Sequence, residues 1–248
     1  MPSRNLITVG LELGWFAPDR ADSNPARVHG RPTMENGATW KLSRRSEPVT
    51  TQVMERDQCP RIAWIEDAEA CGELAGLYAE VKRVSPTGKV DDVIRCLSMR
   101  PDFLAPIVQA ARLHFTDGAL TQAQHEMIAS YVSALNHCDY CLSGHTRFLQ
   151  LHGERHHQTA HALREGDLEA AGLSTAERLL LEFVGTVTRH AYRITDEQVQ
   201  GLRDVGWTDA QIAEAVYEAA LLNFFNRIAD AFDIRTPTAT DPTGQQRH

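Results

Sequence analysis

The sequence predicts an all-α fold from two observations, helix start signals and the helical spacing of apolar residues. Four segments begin with a capping box, in which Ser or Thr is followed three residues later by Gln or Glu; the boxes start at Thr121, Ser174, Thr195 and Thr208. Apolar residues recur at spacings of three and four, as one buried helix face requires. No stretch alternates apolar and polar residues over a useful length, so we predict no β-sheet.

Helices are predicted along the chain from about residue 60 onward. Between Asp67 and Val84 the apolar spacing predicts a first helix with one buried face, and residues 90–97 form a short apolar-faced segment. Pro101 suits the first turn of the next helix, where its missing N–H costs nothing. The four capping boxes then open the later helices. All of these signals point to helical packing.

A weak internal repeat relates two of these helices. Shifting the chain by 87 residues aligns Thr121 and Asn136 with Thr208 and Asn223, with five identities in sixteen positions, which is consistent with a two-fold helical repeat. The second copy lacks the reactive residues of the first and has in their places Ala213, Phe225, Ile228 and Phe232. The chemistry therefore belongs to one copy alone.

Composition excludes several kinds of partner. The 248 residues carry a formal net charge of −8, so no general basic field exists for a nucleic-acid backbone or an anionic membrane. No apolar run approaches the roughly 20 residues that span a bilayer, and the N-terminus lacks a secretory pattern. Five cysteines are too few and too unevenly placed for a disulfide framework. We expect a cytoplasmic protein without nucleic-acid or membrane partners.

The chain divides into three parts. Residues 1–58 contain five prolines and no sustained periodicity, so we predict an extended, flexible arm. A start of translation at Met54 is the other explanation for such a segment. Residues 59–235 carry the helical pattern and form the predicted folded domain, and residues 236–248 form a predicted disordered tail.

The reactive residues cluster around a Cys-x-x-Cys sequence. On a helix, Cys138, Cys141 and His145 fall within an arc of about 60°, so both thiols and the imidazole share one face. Asn136 is a reasonable N-cap, which would place Cys138 in the first turn, where the helix dipole favours thiolate. His145 can lower a thiol pKa or carry a proton. Glu126 lies twelve residues upstream of Cys138, and helical spacing alone does not bring it to the pair.

Redox catalysis is the favoured interpretation of the pair, and two others stay open. A structural zinc site is the first, with ligands from Cys138, Cys141, His145 and Glu126, although structural zinc sites are usually richer in sulfur. Two inert cysteines are the second. Haem attachment is excluded because Leu142 follows Cys141. The sequence holds no nicotinamide or flavin fingerprint, so we predict no cofactor and no metal.

The spacing of these residues resembles that of a known family. The combined motif is Glu126, Cys138, Cys141 and His145, followed downstream by the run Leu222-Asn-Phe-Phe-Asn-Arg-Ile-Ala-Asp230. Together they resemble the alkylhydroperoxidase D-like, carboxymuconolactone decarboxylase superfamily, and within it the peroxidase-related branch. The resemblance runs from about residue 60 to residue 234 and does not cover the predicted arm.

The resemblance implies an all-helical homo-oligomer that reduces small organic hydroperoxides through the dithiol. In the family pattern Cys141 is the peroxidatic nucleophile, Cys138 is the resolving cysteine, and Glu126 and His145 belong to a proton relay. An external dithiol reductant protein would supply the electrons. Tyr140 departs from the pattern, because alkylhydroperoxidase D proteins have a second histidine there and a phenol cannot replace imidazole as a base at neutral pH.

Two other functions stay open. A lyase acting on a carboxylated lactone is the second activity of the superfamily, but it needs acid–base and anion-binding groups rather than a dithiol. A non-enzymatic, redox-responsive scaffold is the third possibility. Within the dithiol hypothesis, the first-turn position predicts that Cys138 is the more accessible sulfur and that Cys141 lies deeper, beside His145.

The remaining polar residues receive plain structural interpretations. A polar helix surface, rather than a metal site, is expected for the cluster of His152, His156, His157 and His161. A packing or oligomer contact is expected for Asn223, Asn226 and Arg227. Ordinary thiols are expected at Cys59, Cys71 and Cys96. Tyr140 is expected to form a cavity wall.

Overall fold

The computed structural model describes residues 60–236, and within this range every regular element is a helix. The helices are α1 (Gly72–Val84), α2 (Asp92–Arg95), α3 (Pro101–His114), α4 (Gln122–Asn136), α5 (Asp139–Gln150), α6 (Arg155–Arg164), α7 (Thr175–His190), a 3₁₀ turn (Ala191–Arg193), α8 (Asp196–Asp204) and α9 (Asp209–Ala231). The all-α prediction is confirmed. The predicted arm, Met54, Cys59 and residues 237–248 of the predicted tail lie outside the described residues.

All four predicted capping boxes are present. In each box the N-cap hydroxyl accepts the backbone N–H three residues on, and the side chain there accepts the N-cap N–H. The boxes open α4, α7, α8 and α9, and Pro101 occupies the first turn of α3 as predicted. Each box pairs two N–H groups that would otherwise lack an intrahelical acceptor, so local sequence determines where these helices begin.

The first helix is shorter than predicted. It begins at Gly72 rather than Asp67, and Gly72 takes a left-handed φ of 56°. The Asp67 carboxylate instead lies 2.8 Å from Lys82 Nζ of α1 and 2.8 Å from Arg95 Nη2 of α2. Tertiary ion pairs therefore replace the extra helical turn and tie the segment before α1 to both helices.

Helices α4 and α9 lie side by side at the centre of the fold. Near their first turns, His125 Nε2 lies 2.8 Å from Glu214 Oε1, and at the end of α4 the Asn136 amide donates to Asn223 at 3.1 Å. The two helices therefore run in the same direction, and Asn136 contacts Asn223, the residue with which the 87-residue offset aligns it. Every residue from His125 to Ser133 is buried, so α4 is surrounded by other elements.

Apolar side chains pack in three clusters. The largest draws on α4, α6, α7, α8 and α9, and the second joins α1, α2 and α3 to Phe225 of α9. The third is small and contains Cys96, Cys138, Cys141, Ala229 and Ile234. Both cysteines of the motif therefore lie in apolar packing. None of the helices described combines the length and apolar character needed to cross a bilayer.

The capping box of α9 offers a test of how local sequence stabilises the fold. Replacing Thr208 by Ala removes the hydroxyl that accepts the Gln211 N–H. We expect the free energy of unfolding to fall by about 1 kcal/mol, the usual cost of losing an N-cap, and Thr208→Ser to restore most of it. Urea titration followed by circular dichroism measures both values. Thr186→Ala, inside α7, is the control, and an equal loss there would contradict the assignment.

Candidate active site

A sharp turn between α4 and α5 places the two cysteines. His137 caps the end of α4 in a left-handed conformation with a φ of 58°. Its N–H donates to the Ala134 carbonyl at 3.1 Å and the Cys138 N–H donates to the Ser133 carbonyl at 3.0 Å, which is the Schellman pattern. Cys138 is then the extended N-cap of α5. The prediction that Asn136 caps this helix is wrong, because Asn136 is the last residue of α4.

The structure reverses the predicted exposure of the two sulfurs. Cys138 is 0% exposed and Cys141 is 5% exposed, and of the two only Cys141 lines the cavity described below. The prediction that Cys138 is the more accessible sulfur is therefore wrong. Cys138 precedes the first helical residue and packs against Ala229 and Ile234, whereas Cys141 lies within the first turn of α5.

A hydrogen bond between the two thiols separates their acidities. The bond from Cys138 lowers the pKa of Cys141; burial opposes this effect, and the charge of His145 and a hydrogen bond from Asn226 lower the pKa further. The same bond between the sulfurs, together with burial, raises the pKa of Cys138. Cys141 is therefore the more acidic thiol of the pair and the better nucleophile near neutral pH.

Four ionisable side chains form a continuous hydrogen-bonded chain next to the cysteines. His145 Nδ1 lies 2.8 Å from Glu126 Oε2, and Glu126 Oε1 lies 3.1 Å from His114 Nε2. His114 Nδ1 in turn lies 2.5 Å from Glu218 Oε1. Three of these side chains are buried, and that of His145 is 16% exposed. The fold thus brings the predicted pair, Glu126 and His145, into contact and adds two further members.

The hydrogen bonds and charges of this chain favour ionised forms of His114 and Glu126. Both ring nitrogens of His114 lie within hydrogen-bond distance of carboxylate oxygens, an arrangement that favours the imidazolium because that form donates from both. Burial by itself would lower the pKa of His114, but the charges of Glu218 and Glu126 raise it well above its usual value. Burial likewise opposes ionisation of Glu126, yet the charges and hydrogen bonds of His114 and His145 lower its pKa to about 2. Glu126 is therefore a carboxylate across the physiological range.

His145 connects this chain to the acidic thiol. It lies one helical turn after Cys141 on α5, and both residues line the same cavity. Its Nδ1 is bonded to Glu126, so the other ring nitrogen is the one available for proton exchange. This bond to Glu126 holds the His145 imidazole at the cavity, one helical turn from the acidic thiol.

Sequence reasoning missed His114 and Glu218. They are 104 residues apart, at the end of α3 and in the middle of α9, so no local spacing connects them. The only signal was a charged residue on an apolar helix face, since Glu218 lies among buried Ala215, Ala219 and Leu222. A buried carboxylate requires a partner, and that rule could have marked Glu218 as a candidate.

Asn226 also contributes to the site. Its side chain is fully buried; it accepts from the Asn136 amide at 2.8 Å and donates to Ser133 Oγ at 3.1 Å. These contacts fit the expected packing role, and a further hydrogen bond joins Asn226 to Cys141. The aligned residue Asn223 accepts from Asn136 and from the exposed Arg227, which pairs within its own helix. Asn226 therefore holds α4, α9 and the acidic thiol together.

A mainly apolar cavity of about 440 Å³ opens onto Cys141 and His145. Its walls include the aliphatic and aromatic side chains of Val84, Val108, Phe115, Phe148, Leu221 and Phe225. The charged residues Asp91, Arg112 and Arg147 also line it. This volume and lining are typical of small-molecule sites, so the cavity suits an organic molecule with a sizeable apolar part.

Tyr140 forms one wall of the cavity, as predicted. Its hydroxyl oxygen accepts the N–H of Asp92, the first residue of α2, at 3.1 Å. Burial raises the pKa of the phenol, so Tyr140 stays protonated at neutral pH and does not act as a base. Its role is to join α5 to the start of α2.

Among the described residues, two groups of side chains have the spacing of metal ligands, and neither contains a cysteine. They are His114, Glu126 and His145, and His114, His125 and Glu218. A zinc site that includes Cys138 and Cys141 is therefore not assembled in this part of the chain, and the histidine cluster around α6 belongs to neither group. The other two described cysteines fit ordinary thiols, since Cys71 is exposed and burial raises the pKa of Cys96 to about 11.

Known proteins share this fold and part of this sequence. Residues 101–166 match the model of the carboxymuconolactone decarboxylase family. An alkylhydroperoxidase D core from Ralstonia eutropha, an uncharacterized peroxidase-related protein, is 26% identical with a TM-score of 0.64, covering 72% of this chain and 92% of its own. A peroxidase-related protein from a Silicibacter species is 24% identical with a TM-score of 0.63, covering 74% and 94%. A debrominase that is 17% identical shares the fold, with a TM-score of 0.61 over 72% and 92%. No curated protein matches the sequence.

The fold and the site together define a class of protein, an all-helical domain in which one thiol of a cysteine pair and the two histidines of a histidine–glutamate chain border an apolar cavity. The described domain resembles the alkylhydroperoxidase D-like, carboxymuconolactone decarboxylase superfamily in fold and, over residues 101–166, in sequence. This similarity indicates a peroxidase-related or decarboxylase-like function.

The buried carboxylate of Glu126 predicts a specific dependence of stability on pH. Folding lowers its pKa from 4.5 to about 2, so protonation favours the unfolded state. The resulting stabilisation, about 3 kcal/mol, is fully present above pH 4.5 and is lost as the pH falls towards about 2. We expect Glu126→Gln to flatten the free energy of unfolding across this window, measured by urea titration at each pH. The exposed Glu182→Gln is the control, and an unchanged slope in Glu126→Gln would contradict the assignment.

Proposed function

We propose that the protein is a thiol-dependent peroxidase that reduces organic hydroperoxides through a dithiol–disulfide cycle of Cys141 and Cys138. The observation that carries the proposal is the position of Cys141. It is the more acidic thiol, it opens onto an apolar cavity, and it lies beside a histidine that is bonded to a buried carboxylate. A nucleophile, a proton acceptor and a binding space for an organic molecule thus meet at one point.

The first half of the cycle oxidises Cys141. His145 accepts the thiol proton, and the charge of Glu126 stabilises the imidazolium that results. The thiolate attacks the terminal oxygen of the hydroperoxide, the O–O bond breaks, and the products are a sulfenic acid on Cys141 and an alcohol. Because the sulfenic acid forms in a largely apolar cavity, it is protected from solvent until the second cysteine reacts.

The second half of the cycle closes and reopens a disulfide. The Cys138 thiol, already hydrogen-bonded to Cys141, attacks the sulfenic sulfur and releases water. An external dithiol protein then reduces the disulfide. Since Cys141 is the sulfur on the cavity side, we expect the reductant to attack there and displace Cys138.

A homo-oligomer is part of the same proposal. Met99, Phe103 and Leu113 lie just before α3 and within it, and their apolar side chains are 57%, 50% and 53% exposed. Exposed apolar side chains of this kind are common at contacts between copies of a chain. Sedimentation analysis of the purified protein measures the state of assembly.

The lyase activity is the second candidate, favoured by the family model that residues 101–166 match. A lactone lyase would use the acid–base groups and arginines of the cavity and would not need the thiols. Alkylation of both cysteines separates the two functions, because it abolishes peroxide reduction and spares a lyase whose cavity still admits substrate.

The two cysteines should behave differently when each is replaced by serine. We expect Cys141→Ser to abolish peroxide consumption, because the acidic nucleophile is lost. Cys138→Ser should complete one turnover and retain a sulfenic acid on Cys141, which dimedone labelling and mass spectrometry detect. Cys96→Ser, in the same apolar cluster, is the control and should retain activity. If dimedone labels Cys138 in a protein that still consumes peroxide, then Cys138 is the nucleophile and Cys141 the resolving cysteine.

The buried chain of histidines and carboxylates offers a matched pair of variants on α9. Glu218 pairs with His114, inside the chain, whereas Glu214 pairs with His125, outside it. We expect Glu218→Gln to slow the first turnover roughly tenfold and to raise the pKa of Cys141, while Glu214→Gln changes neither. We expect His145→Ala and Glu126→Gln to slow the first turnover by roughly ten- to ten-thousand-fold.

Rapid-quench assays with cumene hydroperoxide give the rate of the first turnover, and the pH dependence of thiol alkylation gives the pKa of Cys141. Equal effects in Glu218→Gln and Glu214→Gln would mean that both carboxylates act only on stability. In that case the extension of the relay to His114 and Glu218 is wrong.

A further inference from the structure

Asp91 places a carboxyl group in the cavity that the steps above do not use. It is the N-cap of α2, yet its side chain makes no capping hydrogen bond. The carboxyl group is therefore not engaged in the usual role of an N-cap side chain, which is to accept the N–H of the second or third helical residue. Asp91 lines the same cavity as Cys141 and His145.

The surroundings of Asp91 favour a neutral carboxylic acid. Burial raises its pKa, and the positive charge of His145 opposes this in part. Asp91 is close enough for its own charge to raise the pKa of Tyr140. When Cys141 is a thiolate, a second negative charge in an apolar cavity is costly. That cost favours the protonated form of Asp91 beside the thiolate, while the positive charge of His145 acts against it.

Reduction of an alkyl hydroperoxide requires an acid as well as a nucleophile. As the sulfur attacks one oxygen, the other leaves as an alkoxide, which is a strong base and a poor leaving group unless it is protonated. In an in-line displacement the leaving oxygen lies beyond the attacked oxygen as seen from the sulfur. His145 projects from the same helix as Cys141, whereas Asp91 directly precedes α2 and so reaches the cavity from a different part of the chain.

We propose that Asp91 is the general acid that protonates the leaving alkoxide, an inference that rests on the proposed peroxidase function. The Cys141 thiolate forms an S–O bond with the terminal peroxide oxygen, and the electron pair of the O–O bond passes to the other oxygen. That oxygen takes the proton of Asp91. Sulfur is oxidised to sulfenic acid, the peroxide is reduced to an alcohol, and the proton that His145 removed from Cys141 restores Asp91.

The test compares two oxidants that differ in their leaving groups. Cumene hydroperoxide releases a strongly basic alkoxide, whereas peracetic acid releases acetate, which needs no proton to leave. We expect Asp91→Asn to slow the first turnover with cumene hydroperoxide by about 10²-fold or more, and to change the rate with peracetic acid by less than about threefold. Rapid-quench measurement of free thiol on the full-length protein gives both rates.

Asp92→Asn is the matched control. Asp92 is the next residue of the chain, and its carboxylate pairs with Arg95 rather than lining the cavity. This variant disturbs α2 equally, so the ratio of the two rates should stay at its wild-type value. Asp91→Glu keeps a carboxylic acid and should recover part of the rate with cumene hydroperoxide.

The outcomes are distinct. If the wild type reacts and Asp91→Asn slows both oxidants equally, or neither, the acid role of Asp91 is wrong while the peroxidase function stands. A wild type that reacts with neither oxidant overturns the peroxidase function and the acid role with it. If Asp91→Asn does not fold, the wild type alone decides: acid catalysis gives a shallow dependence of rate on the basicity of the leaving alcohol across a series of hydroperoxides, and a steep dependence overturns the role.

Discussion

The buried negative charge of Glu126 is the constraint on which the site depends. Removing a carboxylate from water costs several kcal/mol unless partners meet its charge. His114 of α3 and His145 of α5 each bond to one of its oxygens, and His114 in turn needs Glu218 of α9 for its second N–H. Four helices must therefore take one relative arrangement before the charges balance. The groups that tune the reactive thiol are the same groups that join these helices.

Backbone geometry between α4 and α5 adds a second constraint, because it decides which sulfur faces the cavity. The left-handed turn at His137 ends α4 and leaves Cys138 outside the first turn of α5, beneath α9. Cys141 then lies at the cavity, one turn before His145. The hydrogen bond between the sulfurs also gives the two thiols different acidities, since it lowers the pKa of the cavity-facing Cys141. Tyr140, on the same helix, accepts the Asp92 N–H and so joins α5 to the start of α2.

Much of the fold could be predicted because its helix starts are local events. A capping box involves residues three positions apart, so Thr121 and Ser174 predict the starts of α4 and α7 without reference to any tertiary contact. The pairing of Cys141 with His145 is equally local, since one helical turn separates them. The start of α1 was misjudged because Asp67 forms ion pairs with residues that local spacing does not reveal. The same reason explains why Asn136, which bonds to α9, was mistaken for an N-cap.

By itself the sequence determined the all-α class, the starts of the four capping-box helices and the presence of a thiol–imidazole pair on α5, because each depends on hydrogen bonds or spacings within a few residues. Only the tertiary structure decided that Glu126 meets His145, that His114 and Glu218 extend the chain, and that Cys138 is the hidden sulfur. These are contacts between helices separated by up to about a hundred residues. Burial and charge compensation act through space, so they emerge only when the helices pack.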